Sequence, residues 1–389
     1  MIKIIFVIPA MNLGGAEKSL VELLNIMDYK KYEVDLLLLE GEGILLSQVN
    51  PAVNILHKDV ICSAFLKNLT ESVELLLKYR KVGLAIKRVI LSGINKVSSN
   101  INISHLTWRM LKEDVNFVAK KYDYAIAYLQ GIPEYYVIEK IKAYKKIFWM
   151  HTSFKYYSKN NRFEKEYVNQ YDKIVCVSEA AKKDFINLFP NKEEQIQVVY
   201  NIIDKEKIKK LAIERNPIPQ DSNFHIVSVG RLHEAKGYDI AIRAFKKLHD
   251  MYPDVCLHIV GEGPLKEKLR KQIKENNLDN VCLLEGKTVN PYCYMRQADI
   301  ILQSSRYEGY CIVLAEAKTL CKPIVTTDFF GAREQIKDYT TGMIVKCTEE
   351  SIYKALKKMY ENPNLRNVFA YNLMKEENRI ENTIDQIFQ

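Results

Sequence analysis

Short, nearly continuous apolar runs alternate with amphipathic stretches along this chain, and the whole alternation occurs twice. Lys3–Ile8 is apolar after its first residue, and Val34–Leu39 is broken only by Asp35. Between them lie a loop, Pro9–Gly15, and Glu17–Met27, where Leu20, Leu23, Leu24 and Met27 recur at helical spacing. Runs of this kind suit strands covered on both faces, which means a parallel sheet with helical crossovers. Strand, glycine loop, helix, strand is a βαβ unit. Val53–Leu56, Tyr124–Leu129, Lys146–Met150, Lys173–Val177 and Gln197–Tyr200 extend the first series as further strands.

Asn216-Pro217-Ile218-Pro219-Gln220-Asp221-Ser222 interrupts the pattern with prolines and polar residues, as expected of an interdomain linker. A second series follows. Its predicted strands are His225–Val229, Val255–Val260, Val281–Glu285, Ile300–Gln303, Pro323–Thr326 and Met343–Val345. Its predicted helices are Gly237–His249, Pro264–Lys274, Val289–Arg296, Ile312–Leu320 and Glu349–Tyr360. The expectation is therefore an α/β chain of two doubly wound domains facing a cleft. Residues 1–205 form the first, with a basic amphipathic insertion at about 61–120. Residues 206–222 link it to a second domain at 223–370, and 371–389 form a terminal helix able to return to the first. Ligands of such sheets gather at the carboxyl ends of the strands.

Charge marks the first half. From Ile61 to Lys165 there are 19 Lys+Arg against 8 Asp+Glu, whereas the whole chain carries +9. The stretch Ala64–Ser99 reads as one or two amphipathic basic helices, carrying Lys78, Arg80, Lys81, Lys87 and Arg88 among apolar residues. A field of that sign attracts phosphates or an anionic membrane surface. A packed, solvated helical insertion is the plainer alternative. No zinc finger, helix-turn-helix or aromatic RNA-binding pattern accompanies the charge, so nucleic acid is not expected as a partner. The eight cysteines contain no C-x-x-C pair and several sit in apolar runs, which suits reduced, buried thiols. No signal peptide and no run of 18 uncharged apolar residues is visible, so a cytoplasmic, soluble protein, in part resting on the inner membrane face, is expected.

Four local patterns carry chemistry. In Ser304–Ala317 two glutamates, Glu308 and Glu316, stand eight apart around a strand-to-helix turn. The amides of Gly309, Tyr310 and Cys311 would open that helix, where its dipole favours an anion. A carboxylate before the turn can accept from sugar hydroxyls, and a second can hold a ribose diol; a solvated helix glutamate explains Glu316 equally well. In Gly230–Gly237, Arg231 and Lys236 straddle a loop, offering a fork and a point charge to a diphosphate. Gly14 and Gly15 let backbone approach a ligand after the first strand, although a plain turn explains them too. His151 ends an apolar strand, a position that is more often structural than catalytic when taken alone.

The order Gly14-Gly15-Ala16-Glu17, His151, Gly230-Arg231 with Lys236-Gly237, Gly261-Glu262-Gly263-Pro264 and then Glu308 to Glu316 resembles the retaining glycosyltransferases of family 4, also known as group 1. The likeness covers nearly the whole chain and implies the GT-B fold of two Rossmann-like domains. It implies donor binding by Gly14, Gly15, Gly230, Arg231, Lys236, Gly263, Lys287, Thr288, Glu308, Gly309, Tyr310, Cys311 and Glu316. It implies catalytic roles for Glu308, His151, Arg231 and Lys236. Asn201 resembles the family's hinge, with Ile202 in place of its glycine.

The expected reaction is transfer of a hexose-type sugar, with retention, from a nucleotide-diphosphate donor to a hydroxyl of a glycan or lipid-linked acceptor in cell-surface glycan assembly. UDP is expected ahead of GDP. The transition state resembles an oxocarbenium ion while the diphosphate gains charge, so the help required is electrostatic. No D-x-D triplet occurs, so no cofactor and no divalent metal is expected. The alternatives are a protein-glycosylating transferase, a nucleotide-sugar epimerase of the same fold and a non-enzymatic sugar-nucleotide-binding protein.

Overall fold

The computed structural model describes residues 1–56, 59–97, 103–152, 161–376 and 387–388. The chain divides into two compact units. One is Met1–Tyr200 joined by the described Ile387 and Phe388, and the other begins at Asn201.

The first unit holds β1 (Ile2–Ile8), β2 (Tyr32–Leu38), β3 (Asn54–Leu56), β4 (Val118–Ala127), β5 (Ile141–Met150), β6 (Lys173–Cys176) and β7 (Ile196–Val198). They form a sheet in the order β3-β2-β1-β4-β5-β6-β7, and every pair in it is parallel. Ile4 to Ile8 are all fully buried, as a strand covered on both faces requires. Helix α1 (Gly15–Ile26) crosses from β1 to β2 and buries Leu20, Leu23 and Leu24. The strand order reverses between β1 and β4, where a doubly wound sheet opens a crevice for ligands.

The basic insertion between β3 and β4 contains α2 (Val60–Leu66), α3 (Leu69–Lys78), α4 (Val82–Val97) and α5 (Ile103–Leu111). Local chemistry divides what periodicity had joined. Asp59 Oδ1 accepts from the amides of Ile61 and Cys62, and Asn68 Oδ1 from that of Glu71, so each restarts the helix. Arg80 then takes a positive φ of 56°, which no helix interior allows. Residues 98–102, including Ser99, lie outside the described residues. Ile61, Cys62, Phe65, Leu76, Leu84 and Leu91 face inward and join the core of the first sheet.

The second unit holds β8 (Phe224–Val229), β9 (Val255–Val260), β10 (Cys282–Gly286), β11 (Ile300–Gln303), β12 (Ile324–Thr327) and β13 (Met343–Val345). Their order is β10-β9-β8-β11-β12-β13, again parallel and again reversing, here between β8 and β11. Alternate residues feed two cores: Ile226, Leu257, Ile300 and Val325 one face, Val227, Val260, Ile301 and Ile324 the other.

Residues 206–222 do not act as a free linker. The helix Lys205–Ala212 starts at Asp204, whose Oδ1 accepts from the Lys207 amide, and its Ile208 and Ala212 are buried in the second unit with Ile218. Gln297 clamps Ile218 by accepting from its amide and donating to its carbonyl. The prolines that read as a linker are thus tied to the domain they precede.

At the other end, the helix Pro363–Lys375 accounts for the first residues of the predicted terminal helix, and 377–386 lie outside the described residues. Phe388 packs between Tyr32 and Tyr124, and Tyr124 Oη donates to the Phe388 carbonyl at 2.8 Å. All eight cysteines are free thiols, five of them buried. Among the described residues no helix is long and apolar enough to cross a membrane.

Candidate active site

Four loops meet at the carboxyl ends of the second sheet. They follow β8 (230–237), β9 (261–265), β11 (304–311) and β12 (328–332). Two glycines show how closely they approach. A Cβ on Gly237, whose φ is +65°, would lie 2.2 Å from the Ser304 carbonyl oxygen. One on Gly263 would lie 2.5 Å from that of Leu232. Ser304 Oγ donates to the Lys236 carbonyl at 2.8 Å. Arg306 holds Asp239 with two bonds of 2.8 and 2.7 Å, and its amide donates to Ala235. The β8 and β11 loops are thereby locked together across the point where the strand order reverses.

Lys236 and Glu308 come into direct contact there. Lys236 Nζ donates to Glu308 Oε1, and both side chains are mostly buried. The same oxygen accepts from Ser305 Oγ at 2.7 Å and from Gln303 Nε2 at 3.2 Å. Gln303 also donates to Ser305 at 2.7 Å. Three donors on Oε1 fix the carboxylate and leave Oε2 without a partner among the described residues. Burial alone would push the Lys236 ammonium toward neutrality; the Glu308 carboxylate outweighs it and raises the pKa above the ordinary lysine range. Lys236 therefore stays charged at neutral pH.

Cys311 opens the helix Ile312–Thr319 with a φ of +63°, a left-handed position rare for a residue with a Cβ. Gln335 braces it by donating to the carbonyls of Tyr310 and Cys311. Glu316 sits inside that helix with 1% exposure, and its Oε1 accepts from Tyr292 Oη at 3.0 Å. That removes the solvated-glutamate alternative.

The remaining residues expected in this unit are spread along the same edge. Gly230 lies against the Lys236 stem, which a Cβ there would meet at 3.2 Å. Arg231 is exposed, and no described residue engages its guanidinium. Lys287 is exposed one strand further on, after β10, while Thr288 Oγ1 is occupied in accepting from Arg215 and the Asn290 amide. Gln303, Ser305 and Tyr292 went unrecognised in the sequence. A polar Gln-Ser-Ser run ending an apolar strand was the available signal, because buried polar groups at a carboxyl edge need a task.

The first unit has its own cluster at the β1/β4 reversal. Gly14 and Gly15 begin α1, and the Glu17 carboxylate folds back so that a Cβ on Gly14 would meet it at 2.1 Å. His151 follows β5. Its Nε2 is buried without a partner among the described residues, and burial pushes the imidazole down to about 3. It is therefore a neutral ring at physiological pH. Ser153, quoted with it in the sequence, lies outside the described residues.

Residues 13–207 match the family described as Glycosyltransferase Family 4, and residues 208–376 match Glycosyl transferases group 1. The chain belongs to the family 4 glycosyltransferases. One relative of this glycosyltransferase is the N-acetylgalactosamine-N,N'-diacetylbacillosaminyl-diphospho-undecaprenol 4-alpha-N-acetylgalactosaminyltransferase of Campylobacter jejuni. It is 36% identical over 200 residues, which is 51% of this chain and 53% of that protein. Another is the poly(glycerol-phosphate) alpha-glucosyltransferase of Bacillus subtilis, 24% identical over 65% of this chain and 40% of that one. The glycosyltransferase thus spans about half the length of the first relative and less of the second. Among solved structures, Anabaena Alr3699/HepE in complex with UDP-glucose superposes with a TM-score of 0.68 at 18% identity, covering 96% of this chain and 93% of that one. Staphylococcus aureus TarM does so at 0.65 and 15%, covering 97% of each. These likenesses show the fold: GT-B, with two Rossmann-like domains.

Proposed function

We propose that this glycosyltransferase moves a hexose-type sugar, with retention, from a UDP donor to a hydroxyl of a lipid-linked or polymeric cell-surface glycan. The observation that carries the reading is the triple anchoring of Glu308 Oε1, which holds a charged Lys236 and leaves Oε2 to sugar hydroxyls. Support for the donor comes from HepE, solved with UDP-glucose, and for the acceptor class from relatives named for diphospho-undecaprenol and poly(glycerol-phosphate).

As the glycosidic bond breaks, negative charge grows on the diphosphate and positive charge on the sugar ring. Lys236, Arg231 and the backbone amides at Gly309–Cys311 would stabilise the leaving phosphate without a divalent metal, in the manner of preorganised donors. Glu308 would orient the sugar and Glu316 the ribose. Gly15 would approach the donor phosphate, and His151 would hydrogen-bond the sugar as a neutral ring. Same-face displacement is proposed, the departing phosphate taking the acceptor proton. The test is a nucleotide-sugar screen by thermal shift, followed by turnover with membrane extracts as acceptor. Stabilisation by a UDP-sugar and incorporation of its label are expected. An isomerised donor in the absence of acceptor would instead identify an epimerase, and no stabilisation by any nucleotide sugar would overturn the reading.

The acceptor side is proposed to rest on anionic membrane. Val82, Ile86, Val89 and Ile90 recur along one face of α4, each more than half exposed. Leu77 and Tyr79 continue the patch, and Lys78, Arg80, Lys81 and Lys87 are exposed around it. An apolar stripe with a basic border suits the interface of an anionic bilayer. Liposome cosedimentation tests it: salt-sensitive pelleting only with anionic lipid is expected, and no pelleting, or pelleting indifferent to lipid charge, rejects it.

A further inference from the structure

Among the described residues, ring packing and no hydrogen bond meets the His151 imidazole. Tyr128, next after β4, continues the sheet by donating its amide to the Val7 carbonyl at 3.0 Å, and it is fully buried. Its ring lies 4.6 Å from the His151 imidazole and 4.9 Å from the Trp149 indole. Trp149 in turn stacks on His151 at 6.4 Å and 8°. Phe6 of β1 closes the other side of Tyr128 edge-on at 5.9 Å. The Tyr128 hydroxyl meets Ser19 Oγ of α1 at 3.0 Å. A single tyrosine at the end of β4 therefore touches β1, β5 and the helix that begins at Gly15, beside the reversal point of the first sheet.

We infer that Tyr128 is the positioning residue of His151: its ring, fixed at the far end by Ser19, holds the imidazole so that Nε2 stays free for a ligand. This inference rests on the proposed participation of His151 in transfer. With no hydrogen bond to either ring nitrogen among the described residues, the ring contacts are what set the rotation of the imidazole. The indole Nε1 of Trp149 is likewise buried without a partner among the described residues, which leaves the stack free of competing hydrogen bonds.

The test compares His151→Ala, Tyr128→Phe, Tyr128→Leu and the double variant His151→Ala/Tyr128→Leu in the full chain. Turnover is followed as UDP released from UDP-glucose or UDP-N-acetylgalactosamine, whichever the unaltered protein uses. Tyr128→Phe keeps the ring but loses its Ser19 anchor and is expected to fall by less than Tyr128→Leu. Tyr128→Leu is expected to lower kcat by roughly tenfold or more with KM for the donor little changed, about 1.4 kcal/mol at tenfold. The double variant is expected to match His151→Ala, because a positioning residue has nothing left to position. Losses that multiply would make Tyr128 a structural residue acting independently, and normal turnover in Tyr128→Leu beside an impaired His151→Ala would remove this inference alone. Normal turnover in His151→Ala would remove the role of His151 itself. Should Tyr128→Leu fail to fold, Tyr128→Met fills similar space without a ring and takes its place.

Discussion

At the scale of single residues, the site is decided by which oxygen of Glu308 is used and which is spared. Oε1 takes Lys236, Ser305 and Gln303, and removing any one donor loosens the carboxylate. Glu308→Ala and Lys236→Ala are each expected to lose transfer by about a hundredfold or more, about 2.7 kcal/mol in barrier, with circular dichroism unchanged. Near-normal turnover in both would withdraw their assignment. Ser305→Ala should cost less, about tenfold, since two donors remain. The sequence made Glu308, Lys236 and Glu316 visible through spacing within single motifs. It hid Gln303, Ser305, Tyr292 and Tyr128, because a positioning residue carries no motif: Tyr292 reaches Glu316 from 24 positions away, and Tyr128 meets Ser19 across 109.

At the scale of elements, strands were the most legible feature. The predicted β9, β11 and β13 match the observed bounds, since fully buried parallel strands leave continuous apolar runs. The basic insertion was harder, because helical periodicity continues across breaks that Asn68 capping and the positive φ of Arg80 impose. Its exposed stripe yields a test at the same scale. Ile86→Glu with Val89→Glu should abolish liposome binding while leaving thermal stability unchanged, because both side chains are already exposed; binding that survives would place the membrane contact elsewhere. In the second unit, Gly237→Ala should distort the β8 loop, where both the left-handed φ and the nearby Ser304 carbonyl exclude a side chain. A loss of donor-induced thermal stabilisation larger than the loss of intrinsic stability is expected.

Across the whole molecule, two sheets that share the order of their first six strands each reverse once, at β1/β4 and at β8/β11, and candidate site residues lie beside both points. That repetition could be read from the sequence as two alternating series; the packing of 206–222 onto the second unit could not, since prolines signal a turn without naming the surface it lies on. Two partly buried histidines, His151 and His105, make stability depend on pH. Burial lowers His151 to about 3 and His105 to about 4. Their unfolded counterparts bind protons near pH 6.5, so the unfolded chain takes up more protons below that value. Their contribution is fully present above about pH 6.5 and is lost as pH falls toward 4. The midpoint of thermal unfolding should drop over that window, and His151→Gln should flatten the drop; an unchanged slope would assign it to other groups.

Equilibrium binding of UDP-glucose, UDP-N-acetylgalactosamine and GDP-mannose to the full-length chain, measured by calorimetry beside Lys236→Met, is the most direct measurement. A UDP-sugar should bind the unaltered chain and bind Lys236→Met at least tenfold more weakly, about 1.4 kcal/mol. Equal affinity in the two proteins would mean that the diphosphate is held somewhere other than the Lys236–Glu308 cluster.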